Sequence, residues 1–166
     1  MYYINNFFLF SILGHLFETT FFVTFNVMEK SGFLYLWWTP FYGFGVLLSM
    51  LIYNVVNKYI KRKWLKNIIL FFIFCITFSS FEYLGGFCLE KLYGYSFWDA
   101  TDTPLHIGKY VSVLTSVLWA TLAFIYLYYI KKYSDKLVNK IPKTITIILI
   151  ITFITDCIVS LWNVLK

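Results

Sequence analysis

Long apolar stretches separated by short polar ones set the pattern of this chain. Five runs, at about residues 7–28, 35–56, 67–90, 109–130 and 144–165, are each long enough to be a membrane-crossing helix. At 1.5 Å rise per residue, about 20 apolar residues span a hydrocarbon layer about 30 Å thick. The pattern predicts an all-α fold: a polytopic membrane helical bundle of about five transmembrane helices, forming a single integral membrane domain over residues 1–166. The connectors leave no room for a sizeable soluble domain.

Composition sharpens that reading. The chain is 60% hydrophobic, 23% aromatic and only 13% charged, which excludes an ordinary soluble domain. The first run follows almost no basic residues and shows no small-residue cleavage site, so it is expected to stay as a helix rather than be removed as a signal peptide. The net charge of +6 is gathered in two inter-run patches, "NKYIKRKWLKN" and "KKYSDKLVNKIPK". Basic connectors face the cytoplasm, so the N-terminus is expected inside and Lys166 outside. Fixing topology and touching anionic headgroups accounts for these patches, and no nucleic-acid partner is implied. Tyr35, Trp37, Trp38, Trp64, Tyr95, Trp98 and Trp162 lie near run ends and read as interfacial anchors. Cys75, Cys88 and Cys157 form no CxxC pair and read as apolar packing residues.

Within this apolar background a few polar groups stand out. Glu18, Glu82 and Asp156 lie inside the first, third and fifth runs. A charge at bilayer depth costs on the order of 3 kcal/mol, so such residues face a cavity or a partner. Each acid precedes the outer end of its run by about ten residues, placing all three at a similar depth, roughly 15 Å below the surface. The expectation is a shared polar interior. His15, three residues before Glu18, occupies the same helix face and could pass a proton, bind a cation or simply satisfy its neighbour. Thr19, Thr20, Ser79, Ser80, Ser112, Ser116 and Thr155 supply hydroxyls that could line a site or stitch helices together.

In the connector before the fourth run, Asp99, Asp102 and His106 fall within eight residues. They could ligate a divalent cation, which prefers several oxygens, or form a solvated turn around Thr101 and Pro104; whether a metal binds is left open. Pro40 can begin or kink the second helix, and Gly43, Gly45, Gly85 and Gly86 permit close helix approach. Glu18 and Glu82 each follow a phenylalanine and precede a proline, Pro40 and Pro104, by 22 residues, which suggests a duplicated hairpin.

The sequence has no phosphate loop, no H-E-x-x-H motif, no G-x-S-x-G elbow and no G-x-G-x-x-G fingerprint. No cofactor is expected, and nucleotide hydrolysis by P-loop machinery would need a partner.

With "SILGHLFETT", "SGFLYLWWTPFYGFG", "FEYLGGFCLEKLYGYSFWDATDTP" and "LHIGKYVSVLTSVLWATL" in view, the chain resembles the ABC-transporter type IV (CmpB-like) membrane proteins from about residue 7 to 130. The residues that correspond to the family pattern are Gly14, Glu18, Pro40, Tyr42, Gly43, Gly45, Glu82, Glu90, Trp98, Asp99, Gly108, Ser116 and Trp119. Ala100-Thr101 and His106 depart from it. The resemblance implies a permease-like transport component of the bacterial plasma membrane, working with a separate ATPase subunit or as a homo-oligomer in the lipid bilayer. The residues themselves, read apart from that resemblance, make Glu18, His15, Glu82, Asp99, Asp102 and Asp156 the candidate substrate- or ion-binding residues. An intramembrane enzyme acting on a lipid or envelope precursor, with paired carboxylates for acid–base work, is the alternative. A non-catalytic scaffold or sensor is a third.

Overall fold

The structure is a computed structural model of the chain, and it describes residues 1–20 and 33–164. Helices dominate: α1 (Tyr2–Glu18), α2 (Pro40–Tyr59), α3 (Lys63–Tyr93), α4 (Val113–Val138) and α5 (Lys143–Val164). The last four are long and apolar enough to cross a membrane. Much of the first predicted run, residues 21–28, lies outside the described residues.

Helix ends follow local chemistry rather than the ends of the apolar runs. Residues 35–38 are apolar but not helical, and α2 begins at Pro40, where a fixed φ suits the first turn and the missing N–H costs nothing. α3 stops at Gly94, whose φ of +78° is the left-handed cap that a side chain would resist. Residues 109–112, apolar in part, instead form the end of a connector. Its strands β1 (His106–Ile107) and β2 (Val111–Ser112) pair antiparallel. Ser112 then starts α4 with a reciprocal capping box: its Oγ accepts from the Thr115 amide and its own amide donates to Thr115 Oγ1, both at 3.1 Å. α4 runs on to Val138 through a wide turn at Tyr126–Ile130, so much of the second basic patch is helical.

The chain divides into two compact units. The first holds residues 1–47 and 131–166. Its core gathers Phe7 and Phe8 of α1, Leu34 and Trp38 of the connector, and Phe153 of α5. Rings of Phe7, Phe8, Trp38 and Phe153 meet mostly edge to face at centroid separations of 5.3–6.0 Å. α1 meets the start of α2 through glycines. A Cβ on Gly14 would lie 2.2 Å from the Tyr42 ring, and one on Gly43 would lie 2.6 Å from the Phe7 carbonyl oxygen. Only glycine permits this approach.

The second unit, residues 48–130, is built on α3 against α4. Leu70, Phe74, Phe78, Glu82 and Gly86 recur every four residues as the buried stripe of α3. Facing them, α4 presents Ser116, Ala120 and Ala123. Large side chains of one helix thus meet small ones of the other. In a bilayer this close packing, rather than removal from water, holds helices together.

Candidate functional site

Glu82 sits in the middle of the buried stripe of α3 and is only 7% exposed. Its Oε1 accepts a hydrogen bond from the Trp119 indole nitrogen at 3.1 Å, while its Oε2 is buried without a hydrogen-bond partner among the described residues. Thr115, one turn before Trp119, lies against the carboxyl, but its hydroxyl donates to the Ser112 carbonyl at 3.0 Å. One turn earlier on α3, Ser79 hydrogen-bonds Ser116, whose own proton goes to the Ser112 carbonyl at 2.8 Å. The carboxyl is therefore oriented by an indole and neighboured by hydroxyls. One acceptor atom stays unused in a setting where an unmade hydrogen bond is costly.

The connector folds over the last turns of α3. Gly86, one turn beyond Glu82, receives the Tyr110 ring: a Cβ there would lie 2.6 Å from it. One turn further, Glu90 accepts from the Tyr110 hydroxyl at 2.7 Å and from Lys109 Nζ at 2.8 and 2.9 Å. Trp98 donates its indole N–H to the Tyr110 carbonyl at 3.2 Å. Gly108, with φ of +64°, passes over the Tyr83 ring.

The other expected residues have different surroundings. Asp156 on α5 is 5% exposed. Its Oδ1 accepts from the Tyr35 amide at 3.1 Å and its Oδ2 from the Leu36 amide at 3.1 Å and the Trp38 indole at 2.7 Å. Ser160 adds a longer contact of 3.4 Å. This carboxylate gathers the backbone of residues 35–38, and Trp38 is thereby a buried partner rather than an interfacial anchor. Trp37, Trp64 and Trp162, by contrast, are exposed. Glu18 and His15 are half-buried on α1, and Glu18 Oε2 accepts from Thr39 Oγ1 at 3.3 Å. The Thr39 amide donates to the Ser11 carbonyl at 2.9 Å, so one threonine ties the start of α2 to α1 twice. Glu18 and Asp156 belong to the first unit and Glu82 to the second.

Asp99 and Asp102 are exposed. The Thr101 hydroxyl and amide donate to Asp99 Oδ1 at 2.7 and 2.8 Å, and these bonds, the hydroxyl's first, hold its carboxyl below the usual carboxylate range. His106 Nδ1 donates to the Gly108 carbonyl at 2.9 Å. Asp99 lies within electrostatic reach of His106, but among the described residues no group of three or more His, Cys, Asp or Glu could hold a metal ion. Pro104 lies in a turn whereas Pro40 opens a helix, so the shared 22-residue spacing corresponds to two local structures.

Sequence reasoning missed a polar network at the beginning of the first unit. Lys131 binds Asp135 at 2.7 Å and the Tyr2 hydroxyl at 3.0 Å, and Tyr2 donates to Asp135. Asn5 donates to the Val138 carbonyl at 3.1 Å and accepts from Thr146 at 2.7 Å. Asn5 and Asn6 at the start of an apolar run were the available signal. It also missed the two indole donors, because tryptophan near a run end reads equally well as an anchor.

The sequence model of the family described as "Putative ABC-transporter type IV" matches residues 5–161. No curated protein and no solved structure gives a significant match.

Proposed function

The chain belongs to the ABC-transporter type IV family, and from that premise we propose that it is a permease-like membrane component whose cargo is engaged at Glu82. Its helices and family support a membrane transport component. The observation that carries the finer reading is the buried Oε2 of Glu82, which has no hydrogen-bond partner among the described residues. A carboxyl held by one indole can take a proton, a cation or a hydrogen-bond donor on its second oxygen without disturbing the first. A separate ATPase is the proposed motor, since the sequence carries no phosphate loop of its own. The bacterial plasma membrane, with the N-terminus inside, is the proposed location, and assembly with a partner or a second copy is the proposed state. Asp156 is assigned a structural role, because its partners already occupy both oxygens.

Capture of the tagged protein from its native membrane in mild detergent, with mass spectrometry of proteins and small molecules, tests this. A stoichiometric ATPase, together with a ligand retained by the native chain and lost from Glu82→Gln, is the expected result. Recovery of the chain alone, with native and Glu82→Gln samples identical in content, overturns it.

A further inference from the structure

The early turns of α3 and the middle of α4 leave a groove that the Glu82 site does not use. Asn67, Ile68, Phe71 and Phe72 line it from α3, and Thr121 and Phe124 from α4, around a volume of about 400 Å³. That volume lies within the range of small-molecule sites, yet the walls are almost wholly apolar and open outward. Thr121 gives its proton to the Val117 carbonyl of its own helix at 2.8 Å, leaving no hydroxyl donor in the wall.

One end of the groove is polar. Asn67 Oδ1 accepts from the Tyr128 hydroxyl at 2.6 Å, and the Asn67 amide nitrogen has no partner among the described residues. Lys63, Asn67 and Phe71 follow at intervals of four along α3, so one helix face passes from cation to amide to ring. The nearby cations are not equivalent. Lys66 binds Asn57 Oδ1 at 2.7 Å and Lys61 binds the Asn57 carbonyl at 3.2 Å, while Lys58 lies over the Tyr59 ring. Arg62 and Lys63 are exposed, and their side chains have no partner among the described residues.

We propose that this groove holds an acyl chain of one anionic phospholipid, with the phosphate at Arg62 and Lys63 and an ester carbonyl at the Asn67 amide. The order of cation, hydrogen-bond donor and apolar wall matches the order of phosphate, ester and chain in such a lipid. Basic side chains beside a membrane attract anionic headgroups, and the groove adds a seat for the chain that a charged surface alone does not offer. A zwitterionic lipid would fill the apolar part but carries no net charge for the two free cations. A helix of another protein would cover the groove without using them.

Native mass spectrometry of the full chain in detergent, with phosphatidylglycerol or phosphatidylcholine of identical acyl chains added, tests the assignment. One phosphatidylglycerol is expected to be retained in preference to phosphatidylcholine. Lys63→Gln and Arg62→Gln should each reduce that preference about fivefold, and Thr121→Trp, which fills the groove, should reduce retention of both lipids. Because Lys63 and Arg62 are exposed, their variants decide the matter even where Thr121→Trp fails to fold. Equal retention of the two lipids, or a preference unchanged in both charge variants, overturns the proposal. So does displacement by soluble glycerol phosphate at equal concentration, which would mark an anion site without a seat for the chain. A lipid-free dimer abolished by Thr121→Trp would assign the groove to a second copy instead.

Discussion

Asp156 and Glu82 are buried to nearly the same degree, at 5% and 7% exposure, and each accepts from a tryptophan indole. There the likeness ends. Asp156 also receives two backbone amides, so both oxygens are occupied, whereas one oxygen of Glu82 has no hydrogen bond among the described residues. Burial alone therefore does not separate a fully partnered acid from the one proposed to engage cargo. Satisfaction does: a carboxylate whose acceptors are filled by the fold holds the fold, and one with an acceptor in hand can hold something else.

The strongest way to break this comparison is to remove Asp156. Asp156→Ala strands the Tyr35 and Leu36 amides and the Trp38 indole, and is expected to cost about 3 kcal/mol or more, read as a clear fall in thermal unfolding temperature in detergent. Asp156→Asn, which keeps an acceptor, should lose less. An Asp156→Ala protein as stable as the native one would sink the structural assignment.

The glycines give a second contrast. Gly14→Ala drives a methyl into the Tyr42 ring and Gly86→Ala drives one into the Tyr110 ring, each expected to cost about 1–3 kcal/mol. At Gly85 nothing lies within 4 Å of the added carbon, so Gly85→Ala should be neutral or gain about 0.5–1 kcal/mol from helix propensity. Thermal unfolding of the three variants side by side checks the order, and Gly85→Ala falling with the others would show that helix approach is not what these glycines serve.

Glu82→Gln sharpens the comparison most directly. Its remaining carbonyl still accepts from Trp119, and a neutral amide is easier to bury than a carboxylate. Stability should change by less than about 1 kcal/mol while the retained ligand is lost. A destabilisation as large as that of Asp156→Ala would place both acids in the same structural class.

The smallest expected effect is at Asp99. Its folded carboxyl is held below the ordinary range by Thr101, so it contributes stability above the unfolded-state pKa that is lost as pH falls through the lower folded value. Thr101→Val removes the hydroxyl and should move the Asp99 midpoint upward in a carboxyl NMR titration. An unmoved midpoint would mean that the backbone amide alone sets it.

Hydropathy made the existence of four helices legible and placed α3 and α5 to within a few residues, because a long apolar run has few other places to go than a bilayer, whereas α4 continues past the expected end at residue 130 to Val138. It misplaced their ends where a specific group intervened: Asp156 gathers residues 35–38 ahead of α2, and the Ser112 capping box delays α4 past an apolar approach. Of the three acids that interrupt apolar runs, where a charge is costly, Glu82 and Asp156 are buried and Glu18 is half-buried.

What the sequence by itself determined, then, was the solvent of this protein, its helical class and its family, all of which depend on composition, run length and motif and need no long-range contact. Only the tertiary structure decided which buried acid is fully partnered. Trp38 and Trp119 reach Asp156 and Glu82 across 118 and 37 residues of chain, and a hydrogen bond made at that separation depends on how helices and connectors pack, not on any local pattern of residues.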